Sequence, residues 1–322
     1  MSNFIGIDIG KSKLDVDWMG TNKTYPNTLK GIGGLVNALK QLDESDNLSL
    51  IICEATGGYE RGLIQKSVQA DLPIHLASAN RVRYFAKSQG LVAKTDSLDA
   101  RILSRYGKML SLSPNVVKRD EQTESISDIL KRRDQLQKDK YREQNKLDKW
   151  LTKETEASVR KHIDWLDKEI KRLDKKLDSL KQHEAVKPTH DLLTSIPAIG
   201  DLSAHALIAY LSELGQVSHK QISALVGVAP FNKDSGSREG KRFIQGGRSQ
   251  LRHALYMSGI SAIRCNHPLK QFYRRLREQG KPAKVAIIAV IRKLLTMANS
   301  VIKRQTPWTD EYVWEANHAI FS

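Results

Sequence analysis

The sequence predicts an α/β domain at the N-terminus, then a charged helical region, then a mainly α-helical, basic C-terminal domain. Three observations lead there. Over the first 115 residues strand-like and helix-like patterns alternate, the texture of α/β folds. Val159, Ile163, Leu166, Ile170, Leu173, Leu177 and Leu180 then recur at spacings of four and three, the a/d seam of a heptad pattern. Between Lys270 and Arg304 stand ten Lys or Arg against one acid, Glu278, in largely helical sequence. The regions are therefore placed at 1–115, 116–186 and 187–322, while the length by itself is enough for two domains at roughly 100–200 residues each.

Taken in order, Ile5, Ile7 and Ile9 alternate around Asp8 and give a first strand. Leu14, Val16 and Trp18 alternate with Asp15 and Asp17, a half-buried second strand whose two acids face solvent. Residues 31–42 read as a helix. The apolar run 48–53 suits a central strand buried on both faces. Gly57 and Gly58 break it, and a helix follows to about Gln69. Residues 73–77 give another short strand, and two helical stretches lead to about Leu110. In the middle region the seam is flanked by Lys, Asp and Glu. That pattern fits an antiparallel helical hairpin or an intermolecular coiled coil, the second implying a homo-oligomer, dimer or tetramer. Residues 192–200 and 204–210 look like a helix-hairpin-helix, whose tight turn presents backbone N–H groups to phosphates. Ala198 stands where that turn usually has its first glycine.

Composition narrows the class of partner. Lys plus Arg number 52 against 36 Asp plus Glu, a formal charge of +16 and a pI near 9.7. An acidic small molecule does not call for that excess, whereas a nucleic acid does, because each neutralised phosphate releases a counterion. Two cysteines, Cys53 and Cys265, make neither a disulfide framework nor a zinc spacing and fit a reducing compartment. The opening residues run straight into a strand pattern without the features of a secretory signal. The longest apolar run, 285–291, is too short to span a bilayer and reads as a buried helix. The expectation is a cytoplasmic protein, associated with the nucleoid when bound to DNA, with no membrane partner.

Four acids occupy positions that chemistry would choose. Asp8 sits mid-strand between glycines, where a charge is costly unless it is paired or metal-bound. Glu54 ends the apolar run, at the C-terminal edge of a central strand where open α/β sheets place their sites. Asp96 and Asp99 lie three apart at a helix start, on one face, with Thr95 as the cap. Together these carboxylates can converge on a pair of magnesium ions, which serve phosphodiester chemistry by activating the attacking oxygen and stabilising the leaving one. Farther on, a glycine-rich basic loop follows Gly227 and Pro230. It holds Lys233, Arg238, Lys241, Arg242, Arg248 and Arg252, cations suited to phosphate contacts, around Ser235 and Ser237. Spacing alone does not choose between the two serines.

Ile5-Gly6-Ile7-Asp8, then the stretch from Cys53 to Tyr59, then the stretch from Lys94 to Arg101 resemble the DEDD-type insertion-sequence transposases, a group that includes Piv-type DNA invertases and recombinases guided by a bridge RNA. The resemblance runs along the chain. It implies a RuvC-like, ribonuclease-H-type fold for the first domain, with Asp8, Glu54, Asp96 and Asp99 as metal ligands. It also implies that Ser235 is the nucleophile, forming a phosphoserine link to DNA that conserves the bond for rejoining. The implied partners are double-stranded DNA and, as in the bridge-RNA members, a guide RNA. The expected site is thus composite, with carboxylates from the first domain and the serine from the last. Competing readings are a metal-dependent nuclease or junction resolvase using water, an ATP-dependent sugar kinase or actin-like protein on the strength of the first motif, and a non-enzymatic nucleic-acid scaffold. The kinase reading lacks a second glycine-rich phosphate loop and gives no reason for the charge.

Overall fold

The structure is a computed structural model. It describes residues 3–45, 47–91, 96–116, 120–231 and 242–309, with the side chains of 96–98 outside the description. The chain divides into two compact units, Met1–Lys118 and Arg119–Ser322.

The first unit runs β1 (Asn3–Ile9), β2 (Lys13–Trp18), β3 (Thr21–Pro26), α1 (Leu29–Glu44), β4 (Leu48–Glu54), α2 (Arg61–Gln69), β5 (Ile74–Ala77), α3 (Ala79–Ser88) and α4 (Asp96–Met109). The five strands form one sheet in the order β3-β2-β1-β4-β5. β1, β4 and β5 are parallel, while β2 and β3 fold back antiparallel on one edge. Strand β3 has no apolar signature, because it is an edge strand of polar residues exposed along most of its length. What makes it is the turn before it: Met19 and Gly20 both take positive φ, 52° and 91°, the pattern of a tight hairpin.

Alternation along the strands divides the core between the two faces. Ile5, Ile7, Ile9, Leu14, Val16, Ile51, Cys53 and Ile74 pack with Leu35, Leu39 and Leu63 from α1 and α2. Leu50 and Ile52 pack on the other face with Ile102, Leu103 and Tyr106 of α4 and Val82 of α3. This second covered face corrects the reading of Asp15 and Asp17. Both are buried, at 4% and 9% exposure. Asp15 accepts from Thr24 Oγ1 at 2.7 Å and pairs with Lys13 at 3.0 Å. Asp17 accepts from the Ser104 hydroxyl of α4 and from the Gly20 amide. An alternating strand looks solvated on its polar side only while no helix lies over it.

The second unit opens with α5 (Glu121–Leu147) and α6 (Lys153–Leu180), capped by Asp120 and Thr152 side chains. They form an antiparallel hairpin, as the pairs Arg133–Asp174 and Lys140–Asp167 show. The seam of α6 is filled from within the chain: Leu166, Ile170 and Leu173 cluster with Leu136, and Leu177 and Leu180 enter the core of the unit. That core gathers α7 (Lys187–Thr194), α8 (Asp201–Tyr210), α9 (His219–Val226), α10 (Ser249–Cys265), α11 (His267–Glu278) and α12 (Ala283–Arg304). The base of the hairpin thus packs into the same compact unit as the helices that follow it. α12 is long and apolar enough to cross a membrane by length and composition, but half of its most apolar window is buried inside the unit, so it is a core helix.

The turn between α7 and α8 is the expected helix-hairpin-helix position. Ala198 takes φ 92°, the left-handed region that a glycine would enter without strain. The first turn of α8 carries Asp201, which receives Lys181 Nζ at 2.7 Å. A carboxylate therefore already sits at the helix end that a phosphate would need.

Two histidines lie beside this turn, His190 and His205, with ring centroids 5.0 Å apart and exposures of 4% and 1%. Burial pushes His205 down to about 4, with the neighbouring His190 adding to the effect, and burial also lowers His190. Both rings are therefore neutral in the fold at neutral pH. The unfolded chain takes up protons near 6.5 that the fold refuses, so stability is lost as pH falls from about 6.5 toward 4. His205 alone accounts for roughly 3 kcal/mol across that window. Urea midpoints at pH 7, 5.5 and 4.5 measure this, and His205→Leu is expected to flatten the dependence whatever its absolute stability. An equally steep curve in that variant sinks the assignment.

Candidate active site

The site is built on the C-terminal ends of β1 and β4. Asp8 lies one step beyond the Ile7–Cys53 pairing, which sets it beside Glu54 on neighbouring strands about 4.8 Å apart. Both belong to the sheet face that carries Leu50 and Ile52, the face covered by α4. Across β2, Asp8 stands in register with Asp15.

What brings a third acid close is the fit of α4 on the sheet. Ala100, Ser104 and Gly107 form a stripe of small buried residues at helical spacing along it. Opposite the first two is Gly6, where a Cβ would meet Ala100 O at 2.0 Å and the Ser104 amide at 2.5 Å. A Cβ at Gly107 would meet Ile52 Cδ1 at 2.6 Å. The bond from Ser104 to Asp17 pins the helix laterally. So held, α4 places Asp99 with Asp8 and Glu54 on the wall of one cavity of about 320 Å³.

The same cavity is lined by Arg83 and Lys87 of α3. Sequence reasoning missed these two. Their signal was an i, i+4 basic pair on the helix that follows β5, in a segment read only as helical. Asp96 opens α4, but its side chain lies outside the described residues, as does Thr95. Asp8, Glu54 and Asp99 offer only carboxylate oxygens, the donor set of a hard divalent cation such as magnesium. Among the described residues no group of three such ligands is gathered tightly enough to hold an ion without adjustment.

The loop after Glu54 is shaped by its own acid. Glu60 accepts from Thr56 N, Thr56 Oγ1 and Gly58 N at 2.8–3.2 Å. Burial works to raise its pKa, yet these hydrogen bonds outweigh it and hold the carboxyl below its ordinary range. Asn27 ties the loop to the end of β1, donating to Gly10 O and Tyr59 O. Cys53, next to Glu54, is buried with its thiol pushed up to about 12 by burial and then by Glu60, so it is a packing residue rather than a nucleophile.

In the second unit Lys233, Ser235, Ser237, Arg238 and Lys241 lie outside the described residues. The flanks of that segment are described. Strands β6 (Pro230–Phe231) and β7 (Phe243–Ile244) pair antiparallel at its base. Gly227 and Gly247, at φ 76° and 64°, are pressed together so closely that a Cβ on Gly247 would lie 2.3 Å from Gly227 N. Arg252 Nη1 donates to the carbonyls of Val226, Gly227 and Gly246. Arg248 makes a bidentate pair with Glu213 at 2.6 and 2.7 Å, which holds that carboxyl below its usual range. These two guanidiniums brace the flanks of the segment, and Arg242 is exposed.

Comparison with known proteins matches both units. A transposase family model matches residues 5–155, and the model of the transposase IS116/IS110/IS902 family matches residues 190–274. Over 320 residues the chain is 29% identical to the pilin gene-inverting protein of Moraxella bovis, covering 95% of this chain and 97% of that protein. The corresponding protein of Moraxella lacunata is 28% identical over 318 residues, again with 95% and 97% covered. A 43.6 kDa protein of insertion element IS110 from Streptomyces coelicolor is 25% identical over 121 residues, 37% of this chain and 30% of that protein.

Proposed function

We propose that the chain, whose two parts match transposase family models, is a DNA recombinase of the IS110 type that cuts and rejoins DNA with the carboxylates Asp8, Glu54, Asp96 and Asp99 and the nucleophile Ser235. The observation that supports this reading most is the convergence of Asp8, Glu54 and Asp99 on one cavity shared with Arg83 and Lys87. The sheet order β3-β2-β1-β4-β5, with the acids on β1, β4 and a covering helix, supports a RuvC-like, ribonuclease-H-type fold.

In this reading the four carboxylates would hold magnesium, as a pair of ions. When bound, magnesium supplies activation of the attacking oxygen and stabilisation of the leaving oxygen. Arg83 and Lys87 receive the non-bridging oxygens of the scissile phosphate and orient it. Ser235 Oγ attacks that phosphorus: one P–O bond forms to serine, one P–O bond to the DNA strand breaks, and the serine proton ends on the departing DNA oxygen. The phosphodiester count is unchanged, so the reverse attack by a DNA hydroxyl rejoins the strand. Inversion of a DNA segment, the activity named for the Moraxella relatives, is one outcome of such exchange, and insertion is another. A guide RNA that selects the sites by base pairing belongs to the same reading, as does an oligomer that gathers more than one strand.

Ser235→Ala tests the reading. Incubated with DNA and run on denaturing gels, the parent is expected to yield a covalent protein–DNA adduct and the variant none, with nucleic-acid binding retained. An adduct at the parent's level in Ser235→Ala removes this serine from the mechanism. Cleavage by the parent with no adduct at all makes the enzyme hydrolytic.

A further inference from the structure

The excess positive charge is unevenly placed. Along residues 120–184, seventeen Lys or Arg stand against sixteen Asp or Glu. The hairpin spends most of that charge on itself, in pairs such as Arg133–Asp174, Lys140–Asp167, Lys138–Asp134 and Arg160–Glu156. From 266 to 304 there are ten cations and one acid. Among the described residues, Lys270, Arg274, Arg275, Lys281, Lys284 and Arg292 make no ion pair with a carboxylate.

These cations share a surface. Lys270, half-buried, and Arg274, exposed, stand one turn apart (i, i+4) on α11, and Lys281 follows, exposed, in the turn beyond it, while Leu269, Phe272 and Tyr273 turn toward the core. Arg275 of α11 and Lys293 of α12 meet over the Phe272 ring, 5.4 and 5.6 Å from its centroid. Burial, then the nearby Arg292 and Arg275, lowers the pKa of Lys293, a sign of crowded positive charge. From Lys270 to its end at Glu278 the helix spans roughly 12 Å, and Lys281 and Lys284 carry the charge beyond it, a run long for a single small anion and suited to a polymer carrying a charge about every 1.7 Å. The outer side offers no exposed aromatic ring, since Phe272 and Tyr273 are half-buried. Bases have nothing to stack on there, so the contact is with backbone, as in a duplex, rather than with an unpaired strand.

We propose that the outer face of α11 and the start of α12 is a docking surface for the phosphate backbone of double-stranded DNA, independent of sequence. It is built from residues other than those of the glycine-rich segment around Ser235 and rests on the reading of the chain as a DNA recombinase. The test uses the full chain with Arg274→Ala, Lys281→Ala and Lys284→Ala combined, all three exposed. Affinity for a duplex of arbitrary sequence is measured between 50 and 200 mM salt. Loss of three phosphate contacts is expected to flatten the slope of log K against log salt by roughly 2.7, about 0.9 per phosphate. A charge-keeping variant, Arg274→Lys with Lys281→Arg and Lys284→Arg, is expected to keep the parent slope, and so is Lys146→Ala with Lys149→Ala on the hairpin. An unchanged slope in the alanine variant overturns the proposal. So does a loss equal in the charge-keeping variant, or a loss seen for RNA or single-stranded DNA but not for duplex. Because binding is read without cleavage, a missing serine adduct leaves this result standing, and an unchanged slope leaves the serine chemistry standing.

Discussion

Gly6→Ala is expected to lower the stability of the N-terminal unit by at least about 3 kcal/mol and to remove activity with it. The added methyl would lie 2.0 Å from the Ala100 carbonyl oxygen, 2.5 Å from the Ser104 amide and 3.0 Å from Leu103 Cβ. The two nearest atoms are α4 backbone, so no rotamer change relieves the overlap, and strand and helix have to part. Parting loosens Leu103 and Tyr106 from Leu50 and Ile52, strains the Asp17–Ser104 bond, and carries Asp99 away from Asp8 and Glu54. Against a total of about 5–15 kcal/mol for a folded domain, that is a large fraction. The melting temperature should fall on the order of 10 °C. Gly34→Ala on α1 is the matched control. A Cβ there meets nothing within 4 Å, and alanine in a helix is expected to add about 0.5–1 kcal/mol. A Gly6→Ala protein that melts with the parent would show that α4 does not rest on β1 at this distance.

The same close contact explains what the sequence did and did not disclose. Strands β1, β2, β4 and β5 were legible because apolar alternation and the unbroken run at 48–53 are local signals. Asp8 and Glu54 stood out because a charge in such a run needs a reason. The covering of the second sheet face was not legible, since it depends on residues about a hundred positions apart: Gly6 against Ala100, Leu103 and Ser104. With that face uncovered in the mind, Asp15 and Asp17 look solvated; with α4 in place they are hydrogen-bonded core residues. Strand β3 was invisible because an exposed edge strand carries no apolar period. Arg83 and Lys87 were missed for the opposite reason, being ordinary surface residues until α3 turns them toward three carboxylates. In the loop around Ser235 the sequence showed cations but not their partners. Glu213 and the carbonyls of Val226, Gly227 and Gly246 claim Arg248 and Arg252, and only the fold sets those groups side by side.

Asp8→Asn is expected to lower DNA strand cleavage by at least about 10³-fold, a loss of roughly 4 kcal/mol in transition-state stabilisation, while duplex binding stays near the parent's. The amide keeps the size of the carboxylate, so the strand need not move. What changes is charge on a sheet face where Asp8, Glu54 and Asp15 are adjacent by register. Their roles are distinguishable. Asp15 is directed at Lys13 and Thr24, 3.0 and 2.7 Å away, and is not on the cavity wall, whereas Asp8, Glu54 and Asp99 are. A divalent ion bound by the cavity acids stabilises the fold by mass action, about 2.7 kcal/mol at a hundred times its dissociation constant. Magnesium is therefore expected to raise the melting temperature of the parent and of Asp15→Asn, and to raise that of Asp8→Asn far less. Asp8→Asn cleaving within tenfold of the parent, with an undiminished magnesium response, would mean that the carboxylates on the cavity wall are not the metal-binding machinery.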